Sequence, residues 1–213
     1  MSAVAREAPR MRVTEAARLL PAAGAEPSLT AHVARYGRLP SLRGESAVLI
    51  AHVESSGLRG RGGAGFPTHL KLRAVAAGRE PIVVATGVEG EPASHKDALL
   101  MRINPHLVLD GLVAAGAAVG ATRLVIAVGR NATSAQASIA TAIAEREAAG
   151  ERRRIELVAA PDRFVTGEET ALVSWLNGKP AKPAFTPPRP RRPAASTAAI
   201  SAAPSPRSAG RWP

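Results

Sequence analysis

The fold of this chain is indicated by the stretch PIVVAT at residues 81–86, a short apolar and β-branched run that is typical of a buried strand. Two further runs of this kind follow, at residues 123–128 and 154–159, and helical patterns separate them at residues 104–119 and 134–149. Strands and helices that alternate at this spacing predict an α/β fold with parallel strands flanked by helices. In such folds, ligands gather at the carboxyl ends of the strands.

Short helices are predicted on both sides of this core. Apolar residues at helical spacing indicate helices at residues 45–56 and 68–77, and the first forty residues suggest two more, at residues 14–20 and 28–36. A further helix is predicted at residues 167–176, where an Asn-Gly pair ends it. The parallel strands are therefore expected to be preceded by short helices.

The last part of the chain has a different composition. Residues 183–213 contain eight prolines and five arginines, with no acidic residue and no apolar periodicity. A segment of this composition cannot bury an apolar face, so we expect it to be disordered. The predicted organisation has three parts, which are a partly disordered helical lead-in at 1–44, an α/β domain at 45–182 and a disordered tail at 183–213.

The most informative motif lies between two predicted helices, and it reads SGLRGRGGAGFP at residues 56–67. Glycines let successive backbone N–H groups converge on an anion, and arginines add forked positive charge. The stretch therefore predicts a phosphate cradle for a nucleotide or flavin cofactor. The alternative is a flexible linker, which would favour serine and other polar residues over paired arginines.

This motif does not match the two best-known phosphate loops. Gly60, Gly62 and Gly65 satisfy the G-x-G-x-x-G pattern, but the dinucleotide fingerprint follows a strand, whereas a helical pattern precedes this loop. No Lys-Ser or Lys-Thr pair follows the last glycine, which excludes the Walker pattern. An ordinary dinucleotide-binding turn and a P-loop ATPase are both disfavoured.

Paired acidic residues beside glycine occur twice, as EGEP at residues 89–92 and as GEET at residues 167–170. Ionised carboxylates accept hydrogen bonds well from the hydroxyls of a ribose or a ribityl chain. For Glu168 and Glu169 the alternative is structural, because acidic side chains stabilise the first turn of a helix. Both interpretations remain open at this point.

Composition and charge limit the other functions. The net charge is +11, but the tail carries five of the excess arginines and the chain has few aromatic residues, so nucleic-acid binding is not expected. The absence of cysteine excludes disulfides and cysteine-ligated clusters in these residues, and the histidine spacing predicts no metal site. No apolar run is long enough for a membrane span, so we expect a cytoplasmic protein with no direct membrane insertion.

Three motifs in order resemble one family. Residues 56–71, SGLRGRGGAGFPTHLK, resemble SGLRGRGGAGFPTGLK of the F subunit of NADH-quinone oxidoreductase, which is the NADH-oxidising flavoprotein of respiratory complex I. Residues 89–97, EGEPASHKD, are similar to its ESEPGTxKD, and residues 164–172, FVTGEETAL, are similar to its YICGEETAL. The resemblance covers roughly residues 45–188.

The resemblance implies a Rossmann-like domain that binds FMN and NAD and transfers a hydride from NADH to FMN, as an NADH dehydrogenase module. It implies no catalytic acid or base, because the protein supplies orientation and electrostatics. The implied cofactor-binding residues include one set near FMN and three residues that would meet NADH, with Glu168 beside them. Those near FMN are Gly60, Arg61, Gly62, Gly63, Gly65, Lys71, Glu89, Gly90 and Gly167, and those near NADH are Phe66, Glu91 and Glu169.

The chain also departs from the family pattern. Thr86 and Val88 replace an Asn and an Asp, Phe164 replaces a Tyr, and His69 replaces a Gly, so weaker cofactor binding is expected. The family's C-x-x-C-x-x-C cluster motif has no counterpart, which suggests a truncated relative whose tail is read out of frame. An iron–sulfur protein or complex I-like partner would then accept the electrons and hold the chain at the inner membrane. The alternative is a non-catalytic remnant that keeps the fold and docks to a partner.

Overall fold

The computed structural model describes residues 19–21, 24–60, 65–89, 93–162, 164–183 and 199–202. A 3₁₀ turn at Phe164–Gly167 precedes the last helix. The helices are α1 (Leu29–Tyr36), α2 (Ser46–Ser55), α3 (Thr68–Ala76), α4 (Lys96–Ile103), α5 (Pro105–Val119), α6 (Thr133–Ala148) and α7 (Glu169–Leu176), and the strands are β1 (Pro81–Gly87), β2 (Arg123–Gly129), β3 (Ile155–Ala160) and β4 (Ala199–Ala202).

The strands form one open sheet in the order β3-β2-β1-β4. β1 pairs with β2 in parallel from Ile82 opposite Arg123 to Gly87 opposite Val128, and β2 pairs with β3 in parallel. β4 adds to the free edge of β1 in the antiparallel direction. The predicted α/β fold, with parallel strands flanked by helices, is confirmed.

The central strands are buried on both faces, which explains why their sequences are continuous apolar runs. Alternate side chains of a strand point to opposite faces. Val83 therefore belongs to the larger core cluster, formed with residues of α2 to α6, whereas Ile82 and Val84 belong to a smaller cluster with Leu172 and Leu176 of α7. Helices therefore cover both faces of the sheet.

Gly87 marks a close approach between β1 and α4. A Cβ atom built on Gly87 would lie 2.2 Å from Cε and 2.5 Å from Sδ of Met101, which is itself buried. Only glycine allows the end of β1 to lie this close to α4 without moving the methionine side chain. Packing against Met101 thus explains why a glycine ends β1.

The structure differs from the sequence-based expectations in three places. Helix α4 was not predicted, although Ser94 and Asp97 have the spacing of a capping box. An asparagine directly before a helix predicts a side-chain cap, but the Asn104 amide makes none and donates to Leu19 O and Tyr36 Oη instead. Within the tail expected to be disordered, Ala199–Ala202 pair with β1, because an open strand edge offers backbone hydrogen bonds to any extended segment.

Within the described ranges, no single helix is long and apolar enough to cross a membrane. α4 and α5 together have the length and composition of a span, but the chain bends by 101° between them. Much of α5 is buried in the protein core. The predicted helix at residues 14–20 falls largely outside the described residues.

Candidate functional site

Three of the segments singled out by the sequence meet at one edge of the sheet. Residues 87–89 lie at the carboxyl end of β1, and the 3₁₀ turn and the start of α7 follow the carboxyl end of β3. The short turn at 77–80 joins the end of α3 to the beginning of β1, so the start of α3 and residues 65–67 directly before it lie toward the same edge. The topology therefore places the site where parallel α/β sheets bind their ligands.

The base of the glycine loop is closed by backbone hydrogen bonds. Gly60 N donates to Phe66 O at 2.9 Å, and Thr68 N donates to Leu58 O at 3.0 Å. Gly65 has φ +52°, a left-handed conformation that favours glycine. The sequence predicted that the Gly60 N–H contributes to an anion cradle, but this N–H is already paired within the chain. Any cradle of free N–H groups must come from the residues beyond it.

Lys71 lies in the first turns of α3, directly after the loop. Its Nζ atom is 5.9 Å from the centroid of the Phe66 ring, within the range of a cation–π contact. Partial burial lowers the pKa of Lys71, and the nearby carboxylate of Glu169 opposes that effect. The ammonium group is thus held between the loop and α7.

Glu169 is the corresponding group on α7. Burial is the main cause that raises its pKa, the charge of Glu168 raises it further, and the charge of Lys71 works in the opposite direction. Each of Lys71 and Glu169 therefore lies within electrostatic reach of the other, although they come from two motifs far apart in sequence. This electrostatic interaction relates the start of α3 to the GEET motif.

Glu168 has the structural role that the sequence left open. It is the N-cap of α7, and its carboxylate accepts hydrogen bonds from Ala171 N at 3.0 Å and from Thr170 Oγ1 at 2.5 Å. Burial alone would raise its pKa, but these hydrogen bonds outweigh burial and lower it. Gly167 ends the 3₁₀ turn directly before it.

The Glu89 carboxylate is hydrogen-bonded to residues at the start of α4. Its carboxylate accepts hydrogen bonds from Ser94 Oγ at 2.6 Å and from Ala98 N at 3.3 Å. Burial opposes ionisation, yet these hydrogen bonds and the charge of Lys96 lower the pKa of Glu89. The ionised side chain thus stabilises the helix that follows β1.

Thr166 is a buried polar residue beside the candidate site that the sequence analysis did not single out. Its side chain is fully buried within the 3₁₀ turn, and its Oγ1 atom has no hydrogen-bond partner in the described part of the chain. An unpaired buried hydroxyl is unfavourable by about 1–3 kcal/mol unless a ligand or water supplies the partner. The sequence signal that could have drawn attention to Thr166 is its position directly before the Gly-Glu-Glu residues at the start of a helix.

The structure shows the surroundings of three residues that depart from the family pattern. Val88 is buried in the smaller core cluster, which suits an apolar residue. Thr86 Oγ1 lies 3.5 Å from Val88 N, and His69 Nε2 lies 3.5 Å from Glu54 Oε1, which directs the His69 ring toward α2. Five predicted cofactor-binding residues lie outside the described residues, and these are Arg61, Gly62, Gly63, Gly90 and Glu91.

The described residues contain no group of three or more His, Asp or Glu side chains that could hold a metal ion. They do provide an ammonium, an aromatic ring, an unpaired hydroxyl and a helix N-terminus at the carboxyl edge of a parallel sheet. This combination defines a class, an α/β domain with a candidate site for a phosphorylated nucleotide cofactor.

Comparisons with known proteins identify the family within that class. Residues 53–200 match the family described as Nuo51 FMN-binding domain, and the chain belongs to that family. The match confirms the resemblance and continues beyond residue 188, where the sequence motifs ended. It includes the first residues of β4.

Individual proteins similar to this chain support the same family. The chain is 33% identical over 154 residues to the F 2 subunit of NADH-quinone oxidoreductase of Rhizobium meliloti (strain 1021) and covers 37% of that protein. It is 35% identical over 158 residues to the NADH-ubiquinone oxidoreductase 51 kDa subunit, mitochondrial, of Neurospora crassa and covers 32% of it. Each alignment includes 67% of this chain, so the chain spans about a third of the length of these relatives.

A solved structure shows the same architecture. A chain in the H2-reduced state of an NAD+-reducing nickel–iron hydrogenase is similar to 71% of this chain, with a TM-score of 0.59 and 31% sequence identity. This chain covers 27% of that one.

The donor set at the carboxyl edge fits FMN. Lys71 offers a positive charge and Thr166 an unpaired hydroxyl, and the glycine-rich sequence at residues 61–65 would let a ligand approach the backbone closely. Among the described acidic residues, Glu168 and Glu89 are turned to helix starts, and Glu169 is the carboxylate whose charge acts on Lys71. The residues therefore suit a flavin phosphate and ring.

Proposed function

We propose that this chain is an NADH-oxidising flavoprotein module that binds FMN and NADH at the carboxyl edge of its sheet. The observation that carries the proposal is the position of Lys71, whose Nζ lies 5.9 Å from the centroid of the Phe66 ring and which is also within electrostatic reach of Glu169 in a second family motif. Membership of the Nuo51 FMN-binding domain family supports the same conclusion. FMN, when bound, supplies a ring system that accepts a hydride from NADH.

The chain's own residues contribute binding and orientation. Lys71 presents a partly buried ammonium group whose position is limited by the Phe66 ring and by Glu169. Partial burial lowers the pKa of Lys71 and reduces the solvation of its positive charge. This charge therefore interacts more strongly with an anionic ligand than the charge of an exposed lysine would. We assign Lys71 to the anionic part of the flavin.

Thr166 and Glu169 are proposed to face the other parts of the ligands. The Thr166 hydroxyl lacks a partner among the described residues, so a hydrogen bond to a bound cofactor would remove the penalty of its burial. The Glu169 carboxylate can accept hydrogen bonds from ribose hydroxyls of the dinucleotide. The residues 61–63, 90 and 91 remain predicted contacts.

We propose that the electrons leave the flavin for a group that the given residues do not contain. The given sequence has no cysteine that could ligate an iron–sulfur cluster. We propose an iron–sulfur protein or a complex I-like partner chain as the acceptor, with the module cytoplasmic and peripheral to the inner membrane through that partner. The relatives are named as subunits of NADH-quinone and NADH-ubiquinone oxidoreductases, which supports this assignment.

The proposal is tested by adding FMN to the purified full chain and measuring quenching of flavin fluorescence. Anaerobic NADH should then bleach the visible absorbance of the bound flavin. Lys71→Gln should weaken FMN binding, whereas Lys182→Gln, at an exposed position, should not. If the folded chain leaves the fluorescence of FMN unchanged, the proposal is wrong.

A second candidate is a partner-docking module that retains the fold without flavin chemistry. It is favoured by the pairing of the Gly60 N–H within the chain and by the burial of Val88 in the core. This candidate predicts a folded protein that binds a partner chain but retains no flavin. The same fluorescence titration therefore distinguishes the two candidates.

A further inference from the structure

A second cleft lies away from the candidate nucleotide site. A cavity of about 450 Å³ opens between α1, α5 and the end of α6, and residues 37–43 and 149–153 form much of its lining. Residues 149–153 lead into the amino end of β3. The cavity therefore lies toward the opposite edge of the sheet from the carboxyl ends of the strands.

The cavity is strongly positive. Arg146 makes ion pairs with both acidic residues of the lining, from Nη2 to Asp110 Oδ1 at 2.5 Å and from Nη1 to Glu151 Oε2 at 3.1 Å. The other basic residues of the lining make no ion pair with a described residue, and these are Arg38, Arg43, Arg152 and Arg153. Five arginines thus face two carboxylates that are already paired.

The wall of the cavity also contains buried polar groups with unused hydrogen-bonding capacity. Arg146 is 6% exposed, and its Nε and Nη2 atoms bond to His106 Nδ1 and His106 O in addition to the ion pairs. One N–H of Nη1 is left over from these contacts. His32 is also 6% exposed, and its Nε2 lies 2.8 Å from Asp110 Oδ2 while its Nδ1 has no partner among the described residues.

The lining has an apolar part as well. Leu39, Leu42 and Val113 contribute carbon surface beside the arginines. The volume falls within the range of small-molecule sites, about 300–1,000 Å³. A ligand that suits both parts has an apolar body and a compact group with several anionic oxygens.

We propose that this cavity binds a small organic phosphate through its unpaired arginines. A phosphate group offers two negative charges and three acceptor oxygens, which match several guanidinium forks at once. The apolar body of the ligand packs on the leucines, and Arg146, through its pairs with Asp110 and Glu151, holds the wall in place. This site is separate from the flavin site and does not depend on the proposed function.

The test is isothermal titration of the full chain with inorganic pyrophosphate and with ADP. We expect Arg38→Gln/Arg152→Gln to weaken binding of both probes by roughly tenfold or more, because each lost charge-assisted hydrogen bond weakens affinity by about that factor. The matched control is Arg79→Gln/Arg102→Gln, which removes the same charge from exposed positions outside the lining and should change affinity by less than about threefold. Circular dichroism confirms that each variant is folded.

Three results would overturn the proposal. One is the absence of binding by either probe, and another is an equal loss in the two double variants, which would show diffuse attraction only. The third is binding that Lys71→Gln abolishes while Arg38→Gln/Arg152→Gln does not, which would place both probes at the flavin site. An oligoglutamate peptide that binds through Arg38 and Arg152 when neither probe does would instead indicate an acidic protein segment.

Discussion

Nζ of Lys71 lies 5.9 Å from the centroid of the Phe66 ring, so a residue of α3 contacts the aromatic residue at the end of the glycine loop. The same lysine interacts electrostatically with Glu169 on α7. A single side chain therefore connects two segments that the sequence could only place next to each other by analogy.

Lys71 gives the first prediction. Replacing Lys71 with Gln should weaken FMN binding roughly 10- to 100-fold, because one charge-assisted contact contributes about 1.5–3 kcal/mol. Lys71→Arg should retain part of the affinity, since it keeps the charge while changing its geometry. Fluorescence titration measures all three proteins, and equal affinity in Lys71→Gln and the unmodified chain would contradict the assignment.

Thr166 gives a prediction in which stability and binding move in opposite directions. Thr166→Val removes the unpaired buried hydroxyl at nearly constant volume, so the free energy of unfolding without ligand should rise by about 1 kcal/mol. FMN affinity should fall, because the proposed partner of the flavin is lost. Urea unfolding with and without FMN measures both effects, and a variant that is less stable without ligand would show that the hydroxyl has another partner.

The acidic pair on α7 predicts two opposite pH dependences. The pKa of Glu169 is raised above the ordinary value of 4.5, so its contribution to stability is lost as the pH rises from that value through the raised pKa. Glu169→Gln should therefore gain stability relative to the unmodified chain over this window. The pKa of Glu168 is lowered, so its contribution is lost as the pH falls through the lowered pKa.

Glu168→Gln should accordingly lose stability relative to the unmodified chain as the pH rises from the lowered pKa to about 4.5, and the difference should stay constant at higher pH. Urea unfolding between about pH 3 and pH 7 measures these differences. Glu147→Gln, at an exposed position on α6, is the control. Parallel curves for the Glu168 and Glu169 variants would contradict the opposite environments of the two carboxyl groups.

Gly87 predicts a packing effect with an internal control. A Cβ atom at Gly87 would overlap the flexible end of the Met101 side chain, so Gly87→Ala should lower the free energy of unfolding by about 1 kcal/mol. In Gly87→Ala/Met101→Ala the loss should be smaller than the sum of the two single losses, because the shorter side chain makes room. Gly111→Ala on α5 meets nothing within 4 Å and should stabilise the helix by up to about 1 kcal/mol.

Arg146 predicts a large loss of stability. It pairs with Asp110 and Glu151 and donates to His106 from a buried position. Arg146→Met should lower the free energy of unfolding by about 3 kcal/mol, since it removes a shared partner of two partly buried carboxylates and two hydrogen bonds to His106. Arg123→Met removes a half-exposed pair with Glu156 and should cost about 1 kcal/mol or less by the same measurement.

The sequence alone determined the order of most helices and strands, the parallel sheet and the family, because each depends on local patterns. Apolar runs such as residues 81–86 reveal buried strands, and the glycine loop and the GEET motif are contiguous. Only the tertiary structure decided which atoms are free. It showed that the Gly60 N–H is paired, that Glu168 and Glu89 begin helices and that Thr166 has no partner among the described residues.

The arginine-lined cavity was equally invisible in the sequence, since Arg38, Arg146 and Arg152 come from separate segments. The hydrogen bonds and ion pairs of a side chain depend on residues distant along the chain, and a sequence pattern records only its neighbours. The local pattern therefore determines which element a residue belongs to, and packing determines what that residue is available to bind.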